Sequence, residues 1–354
     1  MINYPKKFNS IIKEAVKKEA SDIHISVNHP PVLRIAKILT PLENYPVINS
    51  DDSRKIALSL LTKEQWGKFI KNKEIDLGYD AEGARFRINI YFERGHINLA
   101  IRVISQQIKT IEKLNLPPVL HKITESLQGF VLITGASSQG KSTTLASLIN
   151  EINNQKKVHI ITIEDPIEYV FKDNKSLIDQ REIHKDALSF PKALRSSLRE
   201  DPDVIMVGEL RDLETISTAI TAAETGHLVL ATLHTNSASQ TIHRIIDVFP
   251  SHQQAQIKAQ LSSSLLSIVT QKLIATQEGL VPACEVLFNN SAVSNLIREG
   301  KIHEIPAVVE TSADRGMFPL NKSLADLVAK GLIDKEKAIS HSFRPLELKQ
   351  RLGR

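Results

Sequence analysis

Phe130-Val-Leu-Ile-Thr-Gly135-Ala-Ser-Ser-Gln-Gly140-Lys141-Ser142-Thr143 is the stretch that decides the fold of this 354-residue chain. Its second half fits G-x-x-x-x-G-K-[ST], the phosphate-binding loop. The context agrees: an apolar run of strand length precedes the loop, and a helix-forming run follows it. A Gly/Ser-rich loop that matched by chance would need neither neighbour. The glycines let backbone N–H groups wrap phosphate oxygens, and the following helix adds the positive end of its dipole. Lys141 would pair with β and γ oxygens of ATP, and the Ser142 hydroxyl would ligate Mg²⁺. Gly135, Ser138, Gln139, Gly140, Lys141, Ser142 and Thr143 form the expected nucleotide-binding set.

Outward from the loop, strands alternate with helices from about residue 118, which implies a parallel sheet. Strands are expected at 130–134, 158–163, 204–207 and 228–232, and helices at 142–153, 188–199 and 212–225. Gly226 follows the last of these, where a helix end favours a left-handed residue. Beyond about 250 the pattern reads as mostly helical. Two of the strands end in acids. Ile161-Thr-Ile-Glu164-Asp165-Pro166-Ile-Glu168 places three carboxylates at the edge where α/β sheets bind ligands. Such groups hold Mg²⁺ or orient and deprotonate water, although the same run alone could be a solvated acidic loop. Asp203-Val-Ile-Met-Val-Gly208-Glu209 is a Walker-B-like strand with Glu209 at its end.

The first hundred residues read differently. Phe8, Ile11, Ile12, Ala15 and Val16 recur at helical spacing, and Ile23 and Ile25 alternate as in a strand. A helix follows Asp51 and Asp52, and another begins at Thr62, whose Thr-x-x-Gln65 pattern is a capping box. Residues 85–91 and 98–104 alternate around Glu93-Arg-Gly95, a hairpin. These elements make a small α+β domain over 1–104. A linker is expected at 105–117, and an ATPase domain over 118–354.

Composition limits what else the chain can be. Hydrophobic residues make up 42% and charged residues 24%, the balance of a globular enzyme. With a single cysteine, Cys284, the chain builds neither an internal disulfide framework nor a Cys-based zinc module. Cys284 lies in an apolar setting that reads as core. A net charge of +5 permits an acidic partner without requiring nucleic acid, and no basic stripe interleaved with aromatics is present. The Met1–Lys7 segment lacks an apolar signal region, and apolar runs stay at strand length, so a cytoplasmic location is expected.

Longer motifs carry a family resemblance. Leu198–Asp212 resembles the Walker B block of the type II secretion and type IV pilus ATPases. Glu164–Glu168 resembles their aspartate box, Thr225–Thr235 their histidine box, and Ala20–Ser26 the opening of their N-terminal domain. The similarity runs from about residue 10 to about 340. It is strongest to the retraction (twitching-motility) branch: the chain begins directly at the small domain and lacks the four-cysteine zinc insertion usual in assembly motors. Ala292-Val-Ser-Asn-Leu-Ile-Arg-Glu299 is similar to a helix tied to retraction, with Leu296 and Ile297 expected in the core and Asn295 and Arg298 outside.

What this resemblance implies is a PAS-like N-terminal domain, a RecA-like P-loop core with a helical C-terminal region, and a homo-oligomeric ring, most simply a hexamer. Hydrolysis would open and close the two domains. The motor would work cytoplasmically at the inner face of the membrane on a pilus platform protein, with a second retraction ATPase as a further partner and no nucleic acid. Glu168 is the implied general base and Glu209 the Walker B acid and metal-linked group, while the choice between Glu164 and Glu168 for positioning water stays open. Arg87, Arg102 and His234 join the implied nucleotide contacts, Arg195 and Arg199 would sense the γ-phosphate at a subunit boundary, and His227 and His234 would couple nucleotide state to motion.

The chain also departs from the family pattern. The usual Pro, Thr, Gly and Ser of the loop are Ala136, Ser137, Ser138 and Gln139 here. If residue 138 needs φ > 0, a non-glycine costs about 1 kcal/mol. Ser294 replaces the first arginine of the retraction helix, and Ala36-Lys37 stands where the family has an Asp-Gly turn. Two other readings stay open: a motor for another pilus-like or secretion system, and a nucleotide-binding ring that does not hydrolyse.

Overall fold

The computed structural model describes residues 4–35, 38–82, 84–104, 108–276 and 279–353. It divides into two compact units, Met1–Gln107 with Pro166–Val170, and Ile108–Asp165 with Phe171–Arg354. The expected Ala36-Lys37 turn and the first part of the expected linker, 105–107, lie outside the described residues. Among the described residues, no helix is long and apolar enough to cross a membrane.

The first unit runs α1 (Tyr4–Lys17), β1 (Asp22–Ile25), β2 (Val32–Ile35), β3 (Ile38–Pro41), α2 (Ser50–Leu60), α3 (Lys63–Asn72), β4 (Glu74–Ala81), β5 (Ala84–Glu93) and β6 (His96–Ile104). Its strands form one antiparallel sheet in the order β3-β2-β1-β6-β5-β4. Phe86, Ile88 and Ile90 of β5 share a core with Ile11 of α1, Ile56 of α2 and Phe69 of α3. The polar residues between them alternate to the other face, as strand geometry demands. Burying an aliphatic or aromatic side chain of this kind stabilises by roughly 1.5–3 kcal/mol.

Local signals act as read. Thr62 accepts from Gln65 N–H at 3.2 Å, and Gln65 Oε1 accepts from Thr62 N–H at 2.9 Å, closing the capping box of α3. The β5–β6 turn has Arg94 at φ 51° and Gly95 at φ 82°, the two left-handed residues of a type I′ turn. α2 starts earlier than Asp51 and Asp52 imply, at Ser50, because Asn49 and Asp52 form a second capping box.

The second unit contains α4 (His121–Glu125), β7 (Gly129–Thr134), α5 (Lys141–Gln155), β8 (His159–Glu164), β9 (Leu177–Glu182), α6 (Phe190–Ser197), β10 (Val204–Val207), α7 (Leu213–Glu224), β11 (Leu228–Leu233), α8 (Ala238–Asp247), α9 (Ser251–Ser264), β12 (Leu265–Thr276), β13 (Gly279–Phe288), α10 (Ser291–Glu299), α11 (Ile305–Thr311), α12 (Leu320–Ala329), α13 (Lys335–His341) and α14 (Pro345–Leu352). Its seven strands lie in the order β13-β12-β7-β11-β10-β8-β9, parallel except for the β12–β13 pair. β7 and β11 are buried along their whole length, which is why they read as continuous apolar runs.

Beyond 250 the chain is mostly helical, as expected, but it also holds a long antiparallel hairpin, β12–β13, that the pattern did not announce. Most of β12 is enclosed between β7 and β13 and buried on both faces, so its residues show no two-residue alternation. Among the described residues, Val131 and Ile133 of β7 and Leu148, Ile149 and Ile152 of α5 are fully buried, and two further clusters bear on the hairpin. One face of the sheet packs against helices α6 to α10, and a second cluster joins Ile274, Val281 and Ala283 of the hairpin to Leu324, Ala338 and Leu348 of the last helices. In α10 the core positions are Val293 and Ile297; Leu296 is half-buried, Asn295 and Arg298 are exposed, and Ser294 Oγ donates to Ser262 O at 2.8 Å.

Candidate active site

The parallel strands bring their carboxyl ends to one edge, where α/β sheets place their ligand sites. Onto that edge open the loop after β7, Glu164 of β8, Glu209 after β10 and His234 after β11. The loop is built on three positive-φ residues: Gly135 at 145°, Ser138 at 61° and Gly140 at 78°. Residue 138 therefore adopts the conformation that makes a Cβ cost about 1 kcal/mol. At Gly135 a Cβ would stand 2.4 Å from the Gln271 carbonyl oxygen, so only glycine fits. Ser142 and Thr143, both half-buried, follow Lys141 in the first turn of α5.

Lys141 is buried, and its Nζ donates to Gly135 O at 2.9 Å and Ala136 O at 2.8 Å. It also lies 3.3 Å from His234 Nδ1, while His234 Nε2 lies 3.2 Å from Glu209 Oε1. Because an ammonium can only donate, Nδ1 accepts, and Nε2–H is left to donate to the carboxylate. His234 thus joins the loop lysine to the Walker-B-like acid. Arg211 pairs with the other oxygen of Glu209 at 2.9 Å. Burial pushes the Glu209 carboxyl upward, but the Arg211 hydrogen bond and charge, with the charge of Lys141 adding to them, outweigh it and hold the group below its ordinary range.

Glu164 is buried at the end of β8, where Thr162 Oγ1 donates at 2.7 Å and Gln180 Nε2 at 3.1 Å. Gly208 N–H donates to Ile163 O at 2.8 Å, and Thr232 Oγ1 donates to Gly208 O at 2.6 Å, which fixes the backbone just before Glu209. Glu168 falls in the Pro166–Val170 segment of the first unit. Arg195 pairs with Glu214 at the start of α7, and Arg199 Nη1 donates to Arg195 O at 3.3 Å. His227 Nδ1 lies 2.8 Å from Ala222 O, at the end of α7.

Within the first unit, Arg87 and Arg102 are directly opposed on β5 and β6. Arg102 Nε meets Asp22 Oδ1 at 3.1 Å, Arg34 approaches the other oxygen of Asp22 at 3.5 Å, and Arg87 lies 3.7 Å from Asp76. Two arginines therefore share one carboxylate. Cys284 is buried in β13, where desolvation pushes its thiol up to about 12, so it is core and not a nucleophile.

Two groups of the site lie outside the expected set. Arg211 could have been noticed, since it lies two residues beyond Glu209. Gln271 could not: it is 132 residues from the loop carbonyl it binds.

A glycine loop between a buried strand and a helix, with a histidine-linked acid on the neighbouring strands, defines a P-loop nucleotide-hydrolase core. The chain belongs to the type II/IV secretion system protein family, whose profile matches residues 3–314. It is 42% identical over 326 residues to the type IV pilus retraction ATPase PilT of Pseudomonas aeruginosa, covering 92% of this chain and 94% of that protein. It is 46% identical over 299 residues to a twitching motility protein of Neisseria gonorrhoeae, covering 83% and 80%. The crystal structure of the pilus retraction motor PilT with bound ADP superposes with a TM-score of 0.89 at 44% identity, covering 96% and 98%.

Proposed function

We propose that this chain is an ATP-hydrolysing motor that drives type IV pilus retraction, working as a homo-oligomeric ring. The observation that carries the catalytic part is the Lys141–His234–Glu209 junction at the carboxyl edge of the sheet. The similarity to a named retraction ATPase over nearly the whole chain supports the cellular role.

Phosphoryl transfer needs little covalent chemistry from the protein, so catalysis is mostly positioning and charge stabilisation. Loop N–H groups would bind the phosphates, and Lys141 would exchange the Gly135 and Ala136 carbonyls for β and γ oxygens. His234 would then keep its bond to Glu209 and lose its partner on the loop, so the junction reports whether the phosphate position is filled. Glu164 or Glu168 would orient the attacking water. The Glu164 carboxylate is already steadied by two donors. Arg195 and Arg199, and Arg87 and Arg102, would supply guanidinium groups to phosphate oxygens, for which a planar fork is suited.

Among the described residues, no cluster of three or more His, Cys, Asp or Glu side chains could cage a metal. Mg²⁺ held by one or two protein oxygens together with substrate phosphates needs no such cage. Ser142 and Glu209 would hold it, and the ion would supply neutralising charge on the phosphate oxygens. The motor would sit in the cytoplasm against the membrane-bound pilus platform.

The test is steady-state, Mg²⁺-dependent ATP hydrolysis by the purified chain, with Lys141→Ala as the blank, followed by a twitching assay of a strain lacking the gene and complemented with it. Turnover absent from the blank and restored twitching are the expected results. A folded, assembled protein with no turnover above the blank would instead mark a nucleotide-binding ring, and turnover without twitching a motor for another fibre.

A further inference from the structure

Strand β12 pairs with β7 only as far as Thr270, which faces Thr134. Beyond that rung β7 has turned into the glycine loop, and the edge of β12 that faced it would have unpaired backbone groups. The loop takes the strand's place. Leu273 N–H donates to the side-chain Oε1 of Gln139 at 2.7 Å. In return, Gln271 Nε2 donates to the backbone oxygen of Gln139 at 2.8 Å. Gln271 Oε1 accepts from Thr144 Oγ1 in the first turn of α5 at 2.7 Å.

The same residue sets the approach of both loop glycines. An added Cβ at Gly135 would meet Gln271 O at 2.4 Å, and one at Gly140 would meet Gln271 Nε2 at 2.9 Å. Gln271 is 4% exposed, so its bonds are shielded from water. The next residue anchors the strand from the other side: Lys272 Nζ donates to His341 O at 2.9 Å and stands 4.8 Å from the Phe343 ring centroid.

We propose that Gln139 and Gln271 are positioning residues, a reciprocal amide clasp that replaces the pairing β7 gives up and holds the loop in phosphate-binding shape. The proposal rests on the nucleotide-binding reading of the loop. Its physical basis is preorganisation. A loop free to sample other conformations must lose that freedom when it closes on phosphate, and affinity falls by the corresponding factor. Gln139 is one of the residues that depart from the family loop, so the clasp also gives this departure a purpose.

The experiment uses the full chain carrying Gln139→Met, Gln271→Met and both together. Each change keeps side-chain length and removes the amide. Mg-ADP affinity is measured by calorimetry, KM and kcat by ATP turnover, and folding by thermal melting without nucleotide. The expected result is a rise in Kd and KM of about tenfold for either single variant. kcat should stay within about threefold, and the double variant should be no weaker than the weaker single, because the two amides act as one unit. If Gln271→Met does not fold, Gln139→Met alone carries the affinity test: it removes the acceptor for Leu273 N–H and leaves the Gln271–Thr144 bond in place. Folded variants with unchanged Mg-ADP affinity would overturn the clasp while leaving the nucleotide reading standing, and so would losses that simply add in the double variant. An unaltered protein that binds no nucleotide would overturn both.

Discussion

Gly135→Ala is the substitution whose consequence can be worked furthest from the structure. Gly135 has φ 145°, a region essentially reserved for glycine, where another residue costs of order 1–3 kcal/mol. Its new methyl would also stand 2.4 Å from the carbonyl oxygen of Gln271. That oxygen belongs to the backbone of β12, which is paired with Cys284 of β13 and adjoins the Thr270–Thr134 rung. It cannot yield as the end of a flexible side chain would, and overpacking against such a partner adds roughly 1–3 kcal/mol. The loop itself should move, so the expense appears in ligand affinity more than in global stability. A sum of roughly 2–6 kcal/mol corresponds to a loss of at least about 30-fold in Mg-ADP binding. Calorimetric titration gives the affinity, and thermal melting shows whether the fold survives. Gly67→Ala is the matched control. Gly67 lies within α3 with nothing within 4 Å of its Cβ position, so alanine there should stabilise by about 0.5–1 kcal/mol and leave binding untouched. Gly135→Ala protein that binds Mg-ADP within a few-fold of the unaltered chain, at an unchanged melting temperature, would refute the reasoning.

Other expectations concern charge. Arg211→Met removes the hydrogen bond and charge that most strongly offset burial at the Glu209 carboxyl, so its pKa rises. A depressed carboxyl stabilises the fold above its unfolded value of about 4.5 and ceases to do so as pH falls through the folded value. The acid limb of the pH–kcat profile should therefore move to higher pH in the variant; an unmoved limb would count against ionised Glu209 in turnover. His121 lies 2.7 Å from Glu151 and 2.9 Å from Glu112, and the Glu151 hydrogen bond leads in raising its pKa above 6.5. A raised imidazole stabilises fully below the unfolded value and loses that contribution as pH climbs through the folded one. The melting-temperature deficit of His121→Gln should accordingly be largest just below pH 6.5 and shrink above it, whereas a deficit independent of pH would contradict the ion pairs. Cys284, buried with its thiol pushed up to about 12, should resist a thiol reagent in the native protein at pH 8 and react once the chain is denatured. Rapid labelling of native protein would refute its placement.

The parts of the fold legible in sequence were those in which one local signal decided the matter. The glycine loop lies between an apolar strand and a helix, Thr62 and Gln65 cap each other across three residues, and Arg94-Gly95 turns a hairpin whose strands alternate. Glu209 was readable because an apolar strand ended beside it. β12 was not, because pairing on both edges and burial on both faces erase the alternation by which a strand is recognised. The Gln139–Gln271 contacts join positions 132 residues apart, and nothing near either residue announces the other. Glu168 shows a further limit. Four residues separate it from Glu164, yet Pro166–Val170 groups with the first unit, a long-range outcome that the acidic run does not encode.

The hairpin β12–β13 contributes its base, at Ile268 and Leu287, to the sheet's main core and its tip, at Ile274, Val281 and Ala283, to the cluster of terminal helices. Among the described residues, the ribbon joins the two clusters, with the Arg351–Glu310 ion pair at 3.0 Å as a weaker tie between α14 and α11. The terminal helices can open together with the hairpin tip while the base keeps its pairing with β7, so their amides should exchange with deuterium as one block at a lower free energy than those of β7 and β11. Calorimetric and van't Hoff unfolding enthalpies should then disagree, and a variant that loosens the tip should lower the first of two transitions without moving the second.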